Sequence, residues 1–430
     1  MITIKQMKFK KILSIFFLII FLYSPISLAT QDAPDIKSPA CMIIESSTGK
    51  TIYEKNSDQV MYPASTTKLM TAILTVENCK LTDIATVSHN AVFSIPTGYS
   101  SASLQVGEEL TIEQLLNVLL IPSANDAAIV LAEHIAGSVQ SFSSMMNTKA
   151  IEIGCTNTNF VNPNGIHDEN HVSTAHDLTL IGNYALKYPE IQNIVKKNTY
   201  QLPVTNKYDK DDRIFNTTNS LIKENHSTKP SNYYYEYATG LKTGYTEPAG
   251  HCVVASAEKD GVTYVATILG GKTSEDYLDE RFLDAKTLFE YAFTNYSVKK
   301  LHTSDEIIDS IVISHATNET KNLKIKLRDD INILLENSVS LKAVEPEIEY
   351  SVDLEAPISE NTILGTATYT VDNVSCTSDI LAANSVDRID IMPIILKIVL
   401  GIFIILLGLI FIRLSSRPKR NRRVKRKRKH

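Results

Sequence analysis

Three short clusters of reactive side chains follow one another along this chain: Ser65-Thr66-Thr67-Lys68, Ser123-Ala124-Asn125 and Lys242-Thr243-Gly244. A serine hydroxyl attacks a carbonyl efficiently only when a base removes its proton, and a lysine three residues on shares its helical face. That amine acts as a base only if its pKa falls, which partial burial and a second cation such as Lys242 would produce. Placed at a helix N-terminus, Ser65 would also lie among free N–H groups and at the positive end of the dipole, both favourable to an oxyanion. Ser123 can relay a proton from Lys68 to a leaving amine, while the Asn125 amide can hold a substrate backbone. On an edge strand, Lys242 and Thr243 would bind a carboxylate and Gly244 would let the substrate backbone come close. The Tyr245 N–H could then complete an oxyanion hole. The chemistry implied is acyl transfer from a substrate that ends in a carboxylate.

Each cluster is weak alone. Ser47 and Lys50, or Ser220 and Lys223, repeat the first spacing, and Ser88-His89-Asn90 and Ser359-Glu360-Asn361 repeat the second. Ser65 and Ser123 would also suit ordinary helix caps, and Lys-Thr-Gly an ordinary turn. Order, flanking sequence and company separate the working set from the coincidences. His167, His171 and His176, interspersed with Asp168, Glu169 and Asp177, invite a metal reading. Their spacing suits no common zinc signature and serine chemistry needs no metal or other cofactor, so loop and helix-cap roles are expected.

The elements that must position these groups can be read from periodicity. Residues 41–45 and 51–53, around Ser47-Thr48-Gly49, predict a hairpin. Residues 67–76, 111–120, 125–135 and 174–186 have helical spacing, the last with Ser173 as its cap. Strands are expected at 251–257 and 262–269 around Lys259-Asp260-Gly261, and a long helix at 275–293. Sheet, helices, sheet and helix make an α/β or α+β domain. The polar stretch 198–237, with Tyr233-Tyr234-Tyr235, reads as a long surface segment near the site whose aromatics pack. Residues 311–314, 323–327, 331–335, 347–352 and 366–371 are short alternating strands, expected to form a small β-sandwich-like domain.

Both ends point to a membrane. Lys5, Lys8, Lys10 and Lys11, an apolar run at 12–22 and Ser27-Leu28-Ala29 predict a signal peptide over residues 1–29. Residues 391–412 carry one charge, Lys397, and at about 1.5 Å per residue would extend roughly 33 Å, enough for a transmembrane helix. From Arg413 onward come 11 Lys or Arg and no acid, so the tail 413–430 is expected in the cytoplasm and the catalytic part outside. Setting aside those 11 and the 4 lysines up to Lys11 leaves 28 basic against 48 acidic residues, a balance of −20. So acidic an exported part argues against nucleic acid as a partner. The five cysteines are widely spaced without a Cys-x-x-Cys pair, and most are expected to be small buried apolar residues.

The set resembles the serine D-alanyl-D-alanine carboxypeptidases among the low-molecular-mass penicillin-binding proteins. Beyond the three clusters the resemblance includes Tyr62-Pro63-Ala64-Ser65, Ile121-Pro122-Ser123-Ala124-Asn125-Asp126-Ala127-Ala128, Asn162-Pro163-Asn164-Gly165, Ser173-Thr174-Ala175-His176-Asp177-Leu178 and Gly270-Gly271-Lys272-Thr273. It implies a penicillin-binding/β-lactamase-like transpeptidase fold over residues 30–295, a β-rich domain over 296–385, and an acyl-enzyme on Ser65. It further implies peptidoglycan stem pentapeptides as substrate, losing their terminal D-alanine, and β-lactams as covalent inhibitors. Two features depart from the family: relatives often lie on the membrane by an amphipathic helix, and often carry Arg where Lys272 stands. A DD-endopeptidase acting on cross-links would use the same residues. A class A β-lactamase usually reads Ser-Asp-Asn where this chain has Ala124, with a Glu for which Glu169, in its Asn-rich loop, is a poor match. A non-catalytic wall-binding protein would not need all three clusters intact.

Overall fold

The computed structural model describes residues 33–224, 232–304, 306–339, 344–372 and 374–416. The signal-peptide expectation, and the basic tail beyond residue 416, lie outside the described residues. The chain divides into two units, Met1–Val298 with Leu334–Ser340, and Lys299–Ile333 with Leu341–His430.

The first unit is built on an antiparallel five-stranded sheet. Its strands are β1 (Ala40–Glu45), β2 (Thr51–Lys55), β3 (Ala238–Thr246), β4 (Gly250–Lys259) and β5 (Val262–Gly271), in the order β2-β1-β5-β4-β3. Both faces are covered, so the central strands are apolar on both sides rather than alternating with polar residues. Ala40, Met42 and Ile44 of β1 join one core cluster, while Cys41 and Ile43 join the other. The first cluster holds α1 (Lys68–Asn78), α2 (Ile112–Leu120), α3 (Asn125–Ala136), α4 (Val139–Ile153) and α5 (Ala175–Ala185). The second is closed by α6 (Glu280–Asn295), through Phe282, Ala285, Leu288 and Phe289. Residues 68 to 75 of α1 are buried all round, as befits a helix inside a core.

Helix boundaries follow local chemistry. Thr111 caps α2 in a full capping box with Gln114. Thr174, not the expected Ser173, caps α5, because Ser173 is held extended by paired backbone bonds to Met61. The last helix begins at Glu280 rather than 275: Asp279 caps it, and residues 274–278 close a turn with Ser274 N–H donating to Leu278 O at 2.8 Å. The expected reading had no helix at α4, whose buried stripe of Phe142, Met146 and Ala150 is narrow and set among serines.

In the second unit an antiparallel sheet contains β6 (Ile307–Val312), β7 (Asn322–Leu327), β8 (Glu347–Tyr350), β9 (Ile363–Val371) and β10 (Val374–Ala382), in the order β6-β7-β10-β9-β8. Its core alternates in register: Leu323, Ile325 and Leu327 from β7 meet Leu364, Ala367, Tyr369, Ile380 and Ala382. The polar outward positions of β9 and β10 pair as hydroxyls, Thr368 with Thr377 and Thr370 with Ser375. The final helix, α7 (Met392–Ser415), has 24 residues, exposes its side chains along its length and is long and apolar enough to cross a membrane.

Candidate active site

Ser65 lies in a 3₁₀ turn, Ala64–Thr67, that runs directly into α1. Side chains three apart eclipse in a 3₁₀ turn, which brings Lys68 Nζ to 2.9 Å from Ser65 Oγ. The same nitrogen donates to Asn125 Oδ1 at 2.8 Å and to Asn164 O at 2.5 Å. Both of those partners only accept, so a neutral Lys68 amine spends its two N–H bonds on them and turns its lone pair to the Ser65 hydroxyl. Burial first, and the Lys242 charge second, hold the Lys68 pKa well below the ordinary lysine value. An amine so lowered is suited, once neutral, to accept the proton of the Ser65 hydroxyl.

Backbone packing fixes the nucleophile. Ala64 adopts a left-handed φ of 48°, a strained conformation for a residue with a Cβ. Gly165, at φ +80°, presses against it so closely that a Cβ there would sit 1.9 Å from Ala64 O. The 162–165 loop is itself tied down: Gly165 N–H donates to Asn162 Oδ1 at 2.8 Å, and Thr71 of α1 donates to Pro163 O at 2.5 Å. On the other side a Cβ at Gly244 would lie 2.9 Å from Ser65 N, so only glycine lets β3 approach the serine this closely.

The second cluster sits on the short bend between α2 and α3. Ser123 is held at φ 68°, in the left-handed region, and lines the cleft. Among the described residues its hydroxyl makes no hydrogen bond. Asn125 accepts from Lys68 and donates one Nδ2 hydrogen to Ser100 O at 2.8 Å, which leaves the second hydrogen for a substrate in the cleft. Buried Asp126 accepts from Ser101 Oγ, Ala102 N and Leu104 N, pinning the loop that carries Thr97 to Ser100 along the cleft wall.

Lys242, Thr243 and Gly244 lie in β3, the terminal strand of the sheet. Lys242 is 1% exposed and its Nζ donates to Thr243 O at 3.0 Å. Burial, then the nearby Arg281 guanidinium, lower its pKa to about 7. Thr243 Oγ1 shares a 2.6 Å hydrogen bond with Thr218 Oγ1. Arg281, from the first turn of α6, donates to Gly244 O at 2.9 Å and pairs with Asp279 at 2.9 Å. Tyr245 is exposed and packs on His251 with ring centroids 4.8 Å apart. Ser65, Ser123, Asn125, Thr243, Gly244 and Tyr245 all line one cleft of about 420 Å³, joined by Arg281 and Glu247. Lys68 and Lys242 lie buried beside it.

Several contributing residues lie outside the three reactive clusters. Asn164 acts through its backbone carbonyl, which no side-chain pattern announces. Thr218 comes from the 198–237 stretch, and Arg281 from the helix expected at 275–293. The cleft draws its guanidinium from Arg281, whereas Lys272 N–H bonds Glu280 on an exposed stretch. Of the Tyr triplet, Tyr235 is buried against Phe289 and Tyr233 Oη accepts from Asp279 N.

The three histidines are distributed rather than gathered. His167 packs edge-on against Tyr62, and His176 Nδ1 lies 3.0 Å from Asp177 Oδ1. His171 is buried, and its Nδ1 accepts from Val161 N–H at 2.9 Å. That bond leaves Nε2 protonated to donate to Thr67 Oγ1 at 2.8 Å, and burial lowers the ring's pKa to about 4. All five cysteines are free, and Cys41, Cys155 and Cys252 are buried.

Comparison with known proteins agrees with this geometry. The D-alanyl-D-alanine carboxypeptidase family matches residues 27–273, and the C-terminal domain of penicillin-binding protein 5 matches residues 296–388. D-alanyl-D-alanine carboxypeptidase DacF of Bacillus subtilis is 31% identical over 354 residues, 80% of this chain and 85% of that protein. The Streptomyces K15 DD-transpeptidase structure superposes with a TM-score of 0.55 at 30% identity, covering 61% of this chain and 99% of that one. A peptidoglycan synthesis regulatory factor from Streptococcus pneumoniae shares the fold, with a TM-score of 0.69 at 23% identity over 82% of this chain and 100% of that one. The chain belongs to the D-alanyl-D-alanine carboxypeptidase family, as a serine peptidase of the low-molecular-mass penicillin-binding class.

Proposed function

We propose that this chain removes the terminal D-alanine from peptidoglycan stem pentapeptides through an ester on Ser65. The observation that carries the reading is the 2.9 Å contact between Ser65 Oγ and a buried Lys68 amine. Lys68 takes the hydroxyl proton as Ser65 attacks the carbonyl of the penultimate residue. The Ser65 and Tyr245 N–H groups receive the oxyanion, at the point where Gly244 lets strand and serine meet. Lys242 and Thr243, with Arg281 beside them, hold the terminal carboxylate. Ser123, its hydroxyl free at the cleft wall, passes the proton from Lys68 to the departing amine, and water then hydrolyses the ester. Asn125 positions the base through Oδ1 and offers its remaining Nδ2 hydrogen to the substrate backbone. β-Lactams would acylate the same serine.

The proposed organisation is a signal peptide over 1–29, a catalytic domain over 30–295, a β domain over 296–385, one span over 391–412 and a cytoplasmic tail over 413–430. Protease treatment of intact cells should then digest the catalytic domain and spare the tail. The activity test is D-alanine release from a stem pentapeptide, run beside a cross-linked stem dimer. Release from the pentapeptide at the higher rate supports the carboxypeptidase; cleavage of the dimer alone would replace it with an endopeptidase.

A further inference from the structure

The cleft contains one charge that the proposed reaction does not use. Glu247 lines it together with Ser65, Tyr245 and Arg281, is exposed, and makes no hydrogen bond or ion pair among the described residues. Arg281, the nearby cation, is committed to Asp279 and to the carbonyls of Gly244 and Cys252. A carboxylate placed in a cleft built to receive a carboxylate works against substrate capture unless the substrate also brings a cation.

The strand direction says where that cation belongs. β3 is an edge strand whose Gly244 touches the serine, so an extended peptide can lie along it. With the terminal carboxylate at Lys242 and Thr243, the upstream part of the peptide runs past Tyr245 toward Thr246 and Glu247. Three residues of strand separate Gly244 from Glu247, roughly 10 Å at about 3.3 Å per residue. An extended lysine-like side chain on the residue before the D-alanyl pair covers a similar distance, roughly 10 Å including one residue of backbone. Glu247 is also held in place: it stands on the turn that ends β3, with Ala249 N–H donating to Thr246 O at 3.1 Å and Pro248 following it.

We infer that Glu247 is a specificity-determining residue that reads a free distal amine on the diamino acid preceding the D-alanyl pair. The inference rests on the proposed carboxypeptidase reading. It favours a lone ammonium over an acylated amine, and over an amine with a free carboxylate on the same carbon. The test uses the full chain in detergent and two acyl-lysyl-D-alanyl-D-alanine peptides, one with a free ε-amine and one with that amine acetylated. Wild type should show a kcat/KM about 3- to 5-fold higher for the free amine, the range of one exposed ion pair. That ratio should fall to about 1 in Glu247→Gln, recover in part in Glu247→Asp, and shrink with added salt in wild type. Penicillin capture by each variant shows that Ser65 and the fold are intact. The same ratio in wild type and Glu247→Gln, or a wild-type ratio of 1, would overturn the assignment and leave the reaction standing. No D-alanine release from either peptide would overturn the reaction and the assignment together.

Discussion

Lys68, Lys242, Asn125, Asp126 and His171 are all buried around the cleft of the first unit, whereas among the described residues of the second the buried side chains with a polar group include only Ser378 and Tyr369. The second unit is held as small β domains commonly are, by alternating apolar residues on one face and hydroxyl pairs on the other. In the first, burial of amines and amides costs stability unless the groups are bonded, and beside the cleft the Lys68 bonds lead to Ser65. Lys68 bonds a side chain from the second cluster and a backbone carbonyl from the 162–165 loop. Asn125 and Asp126 then carry the connection on to the cleft wall. Buried polar groups such as the Glu108–Arg213 pair and Asp284 serve scaffolding elsewhere in the first unit, so what marks the cleft is two buried lysines beside one serine.

Substitutions should respect that division. Lys68→Met, which keeps the volume and removes the base, should slow acylation of Ser65 by about 10³-fold or more. Rapid-mixing kinetics with a chromogenic β-lactam would measure this, with near-ultraviolet circular dichroism confirming the fold. Gly165→Ala should be damaging next, because its Cβ has no room beside Ala64 and the backbone is left-handed there. We expect a stability loss of about 3 kcal/mol by urea unfolding and a turnover drop of about 10²-fold from the displaced serine. At the other extreme, Ile325→Ala in the second core should cost about 2–5 kcal/mol while leaving kcat of the folded enzyme unchanged.

Between these lies a pH effect peculiar to the first unit. With Lys242 lowered to about 7, its ammonium is lost above that pH, and kcat/KM for a substrate with a free carboxylate should fall about tenfold per further unit. Stability moves the opposite way. From about pH 7 up to the ordinary lysine range the unfolded chain binds the extra proton, so unfolding free energy rises with pH. Lys68, lowered by burial as well, contributes a rise of its own, so Lys242→Met should make the slope shallower without removing it. Parallel decline of activity and stability across that window would contradict the placement of Lys242.

Much of this was legible in the sequence where one residue type performs one task in a local frame. Ser65 and Lys68 are three apart on one turn, and the first unit's central strands and buried helices are apolar enough to declare themselves. The rest depended on the third dimension. Asn164 serves through a carbonyl, Gly165 through the Cβ it lacks, and Arg281 arrives 37 residues beyond the Gly244 it supports. Strand β10 reads Val-Ser-Cys-Thr-Ser-Asp-Ile-Leu-Ala, too polar to stand out until β9 and β7 are in place on either side. The amide of Asn125 joins Lys68 to Ser100 and still lines the cleft, an arrangement that only packing decides.

The central claim is that Ser65 forms the covalent intermediate with Lys68 as its base. Rapid-quench mass spectrometry of the full chain mixed with a stem pentapeptide tests it most directly. A transient adduct of the peptide less its terminal D-alanine should appear on the fragment containing Ser65, absent in Ser65→Ala and slow to form in Lys68→Met. D-alanine release with no adduct on Ser65, or undiminished release by Ser65→Ala, would contradict it.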